Sequence, residues 1–287
     1  EEALLRKTNA NWIILKPGAD QKQIVMGSNG KVDELLNKSY ILNHPIPIIK
    51  RYTGGGTVVV SPDTYFISFI GNSTWVQNSG VIHPEGIMEW SMEYLYNELF
   101  VSFSDQDTLT PDEFNVDSKP LIYLKENDYI YIRDDGTEVK CGGNAQYLTG
   151  PSQKRRFVHH TSFLWEYEAS DMSNYLKIPE NRPNYRLARD HDDFLESLSS
   201  IVNRHGYSFS SINDLDNHVM HSIHNHVPIQ STFDFNDIES LHKHHVNEID
   251  NLRWNVSGGS RKNVYTGRNV YIDTDGSPLR DEDLLKL

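Results

Sequence analysis

Three short segments hold residue types whose chemistry and spacing suit a ligand site. The first is Arg51-Tyr52-Thr53-Gly54-Gly55-Gly56-Thr57-Val58-Val59-Val60. Its glycines let the main chain turn tightly and come close to a ligand. Successive exposed N–H groups there can cradle a phosphate, and Arg51 adds fixed positive charge. No Gly-Lys-Ser/Thr follows, which excludes a Walker A loop. The glycines are contiguous and precede a strand signal, which excludes a dinucleotide fingerprint. Alone, the segment is equally an ordinary glycine turn.

The second segment is Lys140-Cys141-Gly142-Gly143-Asn144-Ala145-Gln146. A lysine at a strand end beside two glycines can reach a place where backbone meets substrate. Its ammonium suits negative charge growing on a carbonyl or phosphate oxygen. Taken alone, it reads more simply as an exposed lysine before a β-bulge. The third is Arg155-Arg156-Phe157-Val158-His159-His160-Thr161-Ser162-Phe163-Leu164. A strand with two adjacent histidines can line a pocket, and alternation sends one inward and the other outward.

These segments need elements to hold them. Trp12–Lys16 and Gln23–Gly27 read as strands joined by a Pro17-Gly18 turn, and Asp33–Asn37 as a short helix. Strand signals at 47–51 and 57–60 flank the glycine triplet, and Tyr65–Ile70 is another apolar run. Met88, Trp90, Met92, Leu95, Leu99 and Phe100 fit one helix with a broad apolar face. Residues 104–120 read as an acidic surface loop. Strands are predicted at 128–132, 137–141 and 156–165, with an Asp135-Gly136 hairpin turn. Helices follow at 192–204, 212–226 and 237–246, and the last forty or so residues return to strand and turn signals. Mixed strands with helices grouped late predict an α+β fold: a mixed β-sheet with packed helices.

Composition narrows the function classes. The chain has 287 residues, 37% apolar, with a formal charge of −13 and a mean hydropathy of −0.57. That length supports one large domain or one domain with a small appendage. The acidic balance argues against a general nucleic-acid binder. No stretch approaches eighteen uncharged apolar residues, so no membrane helix is expected. A single cysteine, Cys141, excludes an internal disulfide framework and an all-thiolate zinc site. A reducing intracellular compartment, cytoplasmic or mitochondrial, is the simplest expectation. The opening Glu1-Glu2-Ala3-Leu4-Leu5-Arg6 reads as mid-helix, and an upstream targeting peptide is left open.

Together the three segments resemble the lipoate-protein ligase branch of the biotin/lipoyl ligase family. That family shows a basic residue before a glycine triplet, Asn-Asp, a lysine before Gly-x-Ala, and His-His before an apolar strand. Here those are Arg51 with Gly54, Gly55 and Gly56, then Asn127-Asp128, then Lys140 with Gly143-Asn144-Ala145, and then His159-His160. The flanking Glu1-Glu2-Ala3 and Val25-Met26-Gly27 agree with the family's opening helix and first substrate-side strand.

The resemblance spans roughly residues 1–255 and implies a catalytic domain related to class II aminoacyl-tRNA synthetases. It implies that lipoate or octanoate is activated by ATP with Mg²⁺ and that the acyl group passes from the adenylate to a carrier lysine. Lys140 is then the catalytic cation, bridging acyl carbonyl and phosphate. Arg51 and the backbone of Gly54, Gly55, Gly56, Thr57, Val58 and Val59 bind adenylate phosphate and ribose. Asn127, Asp128, Gly142, Gly143, Asn144, Ala145, His159 and His160 complete the binding set, with Asp128 a Mg²⁺ or ribose ligand. Apolar strand residues near Val25 and Val58 form the acyl tunnel. Implied acceptors are lipoyl carrier domains, namely acyltransferase subunits of 2-oxoacid dehydrogenases and the glycine cleavage H protein. An ATP-independent acyl transferase and a non-catalytic binding homologue are the alternatives.

Departures and side features temper this. Many such ligases have His-Asp shortly after the glycine triplet, where this chain has Val60-Ser61. The biotin-ligase Gly-Arg-Gly-Arg signature is absent. Lys154, Arg155 and Arg156 form the densest basic cluster and are expected to steer an acidic acceptor. His218, His221 and His224 at helical spacing read as a solvated face in preference to a metal site. Asp190-His191-Asp192-Asp193 reads as a capped helix start. Residues 256–287 are too few for a second core and are expected to form a tail, with a separate accessory protein possible for activation.

Overall fold

The computed structural model describes residues 1–76, 82–100, 120–151, 155–180, 182–227, 229 and 268–269. Predicted elements at 104–119 and 237–246, and most of the last forty residues, lie outside these. Two sheets organise the described chain. The larger runs β1 (Trp12–Pro17), β5 (Thr64–Asn72), β9 (Arg156–Leu164), β8 (Glu138–Thr149), β7 (Asp128–Ile132), β6 (Tyr123–Lys125), in that spatial order. All its pairs are antiparallel. The smaller runs β10 (Arg268–Asn269), β3 (Ile48–Lys50), β2 (Gln23–Met26), β4 (Val58–Val60). It is mixed, because β2 and β3 are parallel.

Local chemistry sets the strand ends. Pro17 closes β1 at the sheet edge, where its missing N–H costs no interior ladder bond. β8 outruns the predicted 137–141, and so Lys140 stands inside a strand and not at its end. The reason is Gly142: a Cβ there would lie 2.7 Å from the Phe163 ring, so glycine lets the strand continue beneath that ring. Tyr129 pairs with Gly142 and Ile130 with Lys140, leaving Cys141 as a bulge residue.

Helices flank the sheets. The predicted 88–100 helix is α4 (Pro84–Ser91), a π-helical turn (Met92–Tyr96) and α5 (Asn97–Leu99). Pro84 starts it and the His83 side chain accepts from Gly86 N. Its apolar face enters the main core with Phe69, Phe163, Leu198, Ile201 and Val219. The predicted 192–204 helix is two: α7 (His191–Phe194) and α8 (Leu198–Arg204). The break arises because Leu195–Glu196 pairs with β8, with Glu196 N donating to Lys140 O at 2.9 Å. Asp190 caps α7 as predicted and Ser197 caps α8. Ser211 caps α9 (Ile212–His226). A second core fills the smaller sheet with α2 (Val32–Leu35), α3 (Lys38–Asn43) and α6 (Ala169–Tyr175) around Ile24, Met26, Val59 and Tyr175. Among the described residues no helix is long and apolar enough to cross a membrane.

Candidate functional site

A cleft opens between the two sheets, lined by the glycine loop, β8 and the segment from Lys177 to Leu195. The glycine loop connects β3 to β4. Gly55 has φ +94, a left-handed conformation that favours glycine. A Cβ on Gly55 would stand 2.8 Å from Arg51 Nη2 and 3.2 Å from Asn144 O. Arg51 lies beneath the loop. It donates from Nε and Nη2 to Gly54 O at 3.2 and 2.8 Å, and from Nη2 to Gly56 O at 2.7 Å. Nη1 reaches Val25 O at 3.4 Å. Burial lowers Arg51 to about 10, so it stays charged at neutral pH. Its first task is therefore to hold the loop carbonyls downward. Among the described residues no acceptor takes the N–H groups of Gly54, Gly55 or Gly56. This suits an anion.

Lys140 reaches the cleft from β8. Its Nζ lies 2.7 Å from Asp128 Oδ1, and a Cβ on Gly143 would come within 3.3 Å of that Nζ. Asp128, buried at the start of β7, accepts a second bond from Tyr185 OH at 2.9 Å on Oδ2. Further along β8, Asn144 Nδ2 donates to Asn127 O at 2.5 Å. Asn127 therefore contributes its carbonyl here, from a left-handed φ of 69°. Asn144 and Ala145 back onto Gly55, and so β8 joins the lysine to the glycine loop. At the far end Arg186 is buried with Nη2 unpaired among the described residues. Beside it, burial and then the Arg186 charge lower His191 to about 4, keeping it neutral.

The two histidines separate as alternation predicts. His160 faces the cleft, with Nδ1 2.6 Å from Glu1 Oε1 and 3.0 Å from Ser68 Oγ. His159 does not. It is fully buried on the opposite face, with Nε2 2.9 Å from Tyr129 OH and 3.3 Å from Ser91 Oγ and Thr161 Oγ1. Burial lowers it to about 3. The binding role expected of His159 is corrected to that of a core histidine. Thr57 and Val58 line the cleft, while the Val59 side chain lies in the second core, which does not bear on the role expected of its backbone. Val60 is an apolar part of the cleft wall. Arg156 is not a free steering charge: it donates to Leu5 O, Asn72 Oδ1 and Ala10 O at 2.9–3.0 Å. Lys154 lies outside the described residues. His221 and His224 are solvated, whereas His218 turns in to Leu99 O at 2.9 Å.

The expected Mg²⁺ ligand does not fit. Both Asp128 oxygens are engaged, and among the described residues no three acidic, histidine or cysteine side chains converge.

A family model described as the lipoyl protein ligase A/B catalytic domain matches residues 1–223. The chain belongs to this family. The chain is 31% identical over 190 residues to the inactive lipoate–protein ligase 2 of Plasmodium falciparum, covering 62% of this chain and 48% of that protein. It therefore spans about half the length of that curated relative. The bipartite lipoate protein ligase of Thermoplasma acidophilum, studied with its E2 lipoyl domain, superposes with TM-score 0.58 at 16% identity. That likeness covers 92% of this chain and 88% of the other. A lipoate-protein ligase A bound with ATP gives TM-score 0.54 at 15% identity, covering 85% of each chain. At such identities these two structures establish a shared α+β fold.

Glu126 and Tyr185 were not among the expected site residues, and Gly27 was expected only as the end of the Gln23–Gly27 strand, not as the residue against which the glycine loop packs. Glu126 and Tyr185 act through contacts between distant parts of the chain.

Proposed function

We propose that this chain transfers a lipoyl or octanoyl group from its adenylate to a lysine of a lipoyl carrier domain. One observation carries the reading: Lys140 Nζ is held by Asp128 inside the cleft, on the strand that also backs the glycine loop. In this reading the phosphate lies on the free N–H groups of Gly54–Gly56. The acyl chain runs along Val25, Val58 and Leu164, which line the cleft. The neutral acceptor amine attacks the acyl carbonyl, a C–N bond forms, the C–O bond to AMP breaks, and the proton shed by the amine nitrogen leaves with the AMP phosphate or passes to water. Lys140 offers its remaining N–H donors to the carbonyl oxygen and the leaving phosphate, where negative charge grows. Prior formation of the adenylate from lipoate and ATP belongs to the same proposal, as do carrier domains of 2-oxoacid dehydrogenases and of glycine cleavage as acceptors. A reducing compartment goes with it, supported by the single cysteine.

A second reading, binding without turnover, is favoured by one fact: the curated relative is named inactive. Purified protein with chemically made lipoyl-AMP and a lipoyl domain separates the two by mass spectrometry. Acyl transfer to the acceptor lysine supports the first. Tight lipoyl-AMP binding with no transfer above the uncatalysed rate supports the second. Lipoate, ATP and Mg²⁺ in place of lipoyl-AMP then test activation.

A further inference from the structure

We infer that Tyr185 is a positioning residue for Lys140, acting through Asp128 and itself set in place by Glu126. The inference rests on the proposed role of Lys140.

A lysine side chain has four rotatable bonds and one compact charge, so its ammonium wanders unless something fixes it. Here that is the Asp128 carboxylate, which is 7% exposed. A buried carboxylate with one oxygen unbonded is costly and can turn about its own axis. Tyr185 removes that freedom. Its hydroxyl donates to Oδ2 while Lys140 holds Oδ1, so the carboxylate is pinned at both oxygens. One Lys140 N–H is spent on Asp128, and two remain for ligand oxygens. Burial first, then the Asp128 charge, push the Tyr185 phenol far above its ordinary range, which keeps it a donor.

Tyr185 does not reach Asp128 by chance. β6 and β7 are joined by a two-residue turn, with Lys125 paired to Asp128. Both turn residues are left-handed, Glu126 at φ 46° and Asn127 at φ 69°. Asparagine suits such a turn, but glutamate is uncommon there. The strained Glu126 carboxylate accepts from Asn184 N at 2.7 Å and Tyr185 N at 3.3 Å, at the start of a 3₁₀ turn over Asn184–Arg186. Arg189 completes the brace, donating to Tyr185 O at 2.6 Å and to Glu138 O at 2.8 Å. The hairpin that carries Asp128 thus grips the segment that carries Tyr185, and Tyr185 grips Asp128 in return.

The test is Tyr185→Phe, which keeps the ring and removes only the hydroxyl. Single-turnover transfer from lipoyl-AMP is followed beside calorimetric lipoyl-AMP affinity. The expected result is a roughly tenfold slower transfer with affinity within about twofold, since a small displacement of a catalytic group costs rate before binding. An unchanged rate, or a rate and an affinity lowered together, would overturn the inference. Should Tyr185→Phe fail to fold, Glu126→Ala replaces it. The Glu126 carboxylate bonds to Asn184 and Tyr185 and to neither Asp128 nor Lys140, and the same slower transfer at near-unchanged affinity is expected, its absence counting against the inference. Should the wild type itself show no transfer, the transferase reading falls, while amine labelling still decides the positioning. Lys140 in Tyr185→Phe should react with an amine-directed reagent several-fold faster than in wild type; equal reactivity sinks the idea.

Discussion

The α-carbon of Gly27 faces the Gly55 carbonyl so closely that a Cβ on Gly27 would stand 2.1 Å from that oxygen. The end of β2 and the crest of the glycine loop are therefore stacked backbone on backbone. The obstructing atom is a main-chain oxygen and cannot swing aside. Gly27→Ala should push the loop toward β8, where Asn144 O already lies close. The expected outcome is a destabilisation of about 1–3 kcal/mol and at least a tenfold loss of lipoyl-AMP affinity. Calorimetry beside thermal melts checks it, and unchanged affinity would mean that the loop does not bind the ligand.

Lys140→Ala should still fold, because Nζ takes no part in the apolar core, but it should melt below wild type, since the buried Asp128 carboxylate loses its charged partner. Acyl transfer should fall on the order of a hundredfold or more, the scale of losing one donor to a developing oxyanion. Single-turnover mass assays measure it. Near-normal transfer by the folded variant contradicts the assigned role.

Arg156 and its neighbour Arg155 should behave differently despite their adjacency. Arg156 is buried and gives three bonds to Leu5, Ala10 and Asn72, tying α1 (Glu2–Lys7), the link from α1 to β1 and the end of β5 to β9. Arg156→Glu strands those acceptors and buries an unpaired charge, so a loss above about 2 kcal/mol is expected. Arg155→Glu should melt near wild type, as among the described residues its side chain gives one 3.3 Å bond, to Ile82 O. Equal melting temperatures for the two variants would contradict this division.

His159 predicts the acid side of the stability profile. Its folded value of about 3 lies below the ordinary 6.5. The unfolded chain therefore takes up a proton below about pH 6.5 that the folded chain refuses until about pH 3. Stability is full above 6.5 and falls as pH drops through this window, by about 2 kcal/mol at pH 5 from this residue. His191, with a value of about 4, adds in the same direction. Urea unfolding at pH 7 and pH 5 measures the slope. His159→Gln should be weaker at pH 7 yet lose less on acidification, and identical slopes would assign the effect elsewhere.

Much of the site was legible because its parts are local. A glycine triplet after an arginine, a lysine before two glycines, and adjacent histidines on a strand each carry their chemistry in a few consecutive residues. Alternation even separated His159 from His160, although not which of them faced the cleft. The Asp128–Lys140 pair was not legible, since Asp128 was expected to hold Mg²⁺ or ribose and the register of β7 on β8 is shifted by a bulge. What stayed hidden were contacts between distant segments. Tyr185 lies 57 residues from Asp128, and its approach depends on an unfavoured glutamate conformation that no periodicity encodes. The break between α7 and α8 was hidden similarly, since Leu195 and Glu196 leave the helix to pair with a strand.

The two-residue strand β10 has a bearing on how the polypeptide could be shortened. Arg268 lies opposite Lys50 and Asn269 opposite Ile49, so β3 is covered on that side by sequence from well past the matched family region. A version trimmed at residue 255 would lose this cover and leave β3 as a bare edge, with main-chain donors and acceptors open to another chain. The next residue after β3 is Arg51. Self-association of trimmed protein would thus begin beside the glycine loop, and a shortened chain would have its cleft blocked by filament or dimer formation while every side chain of the cleft remained in place.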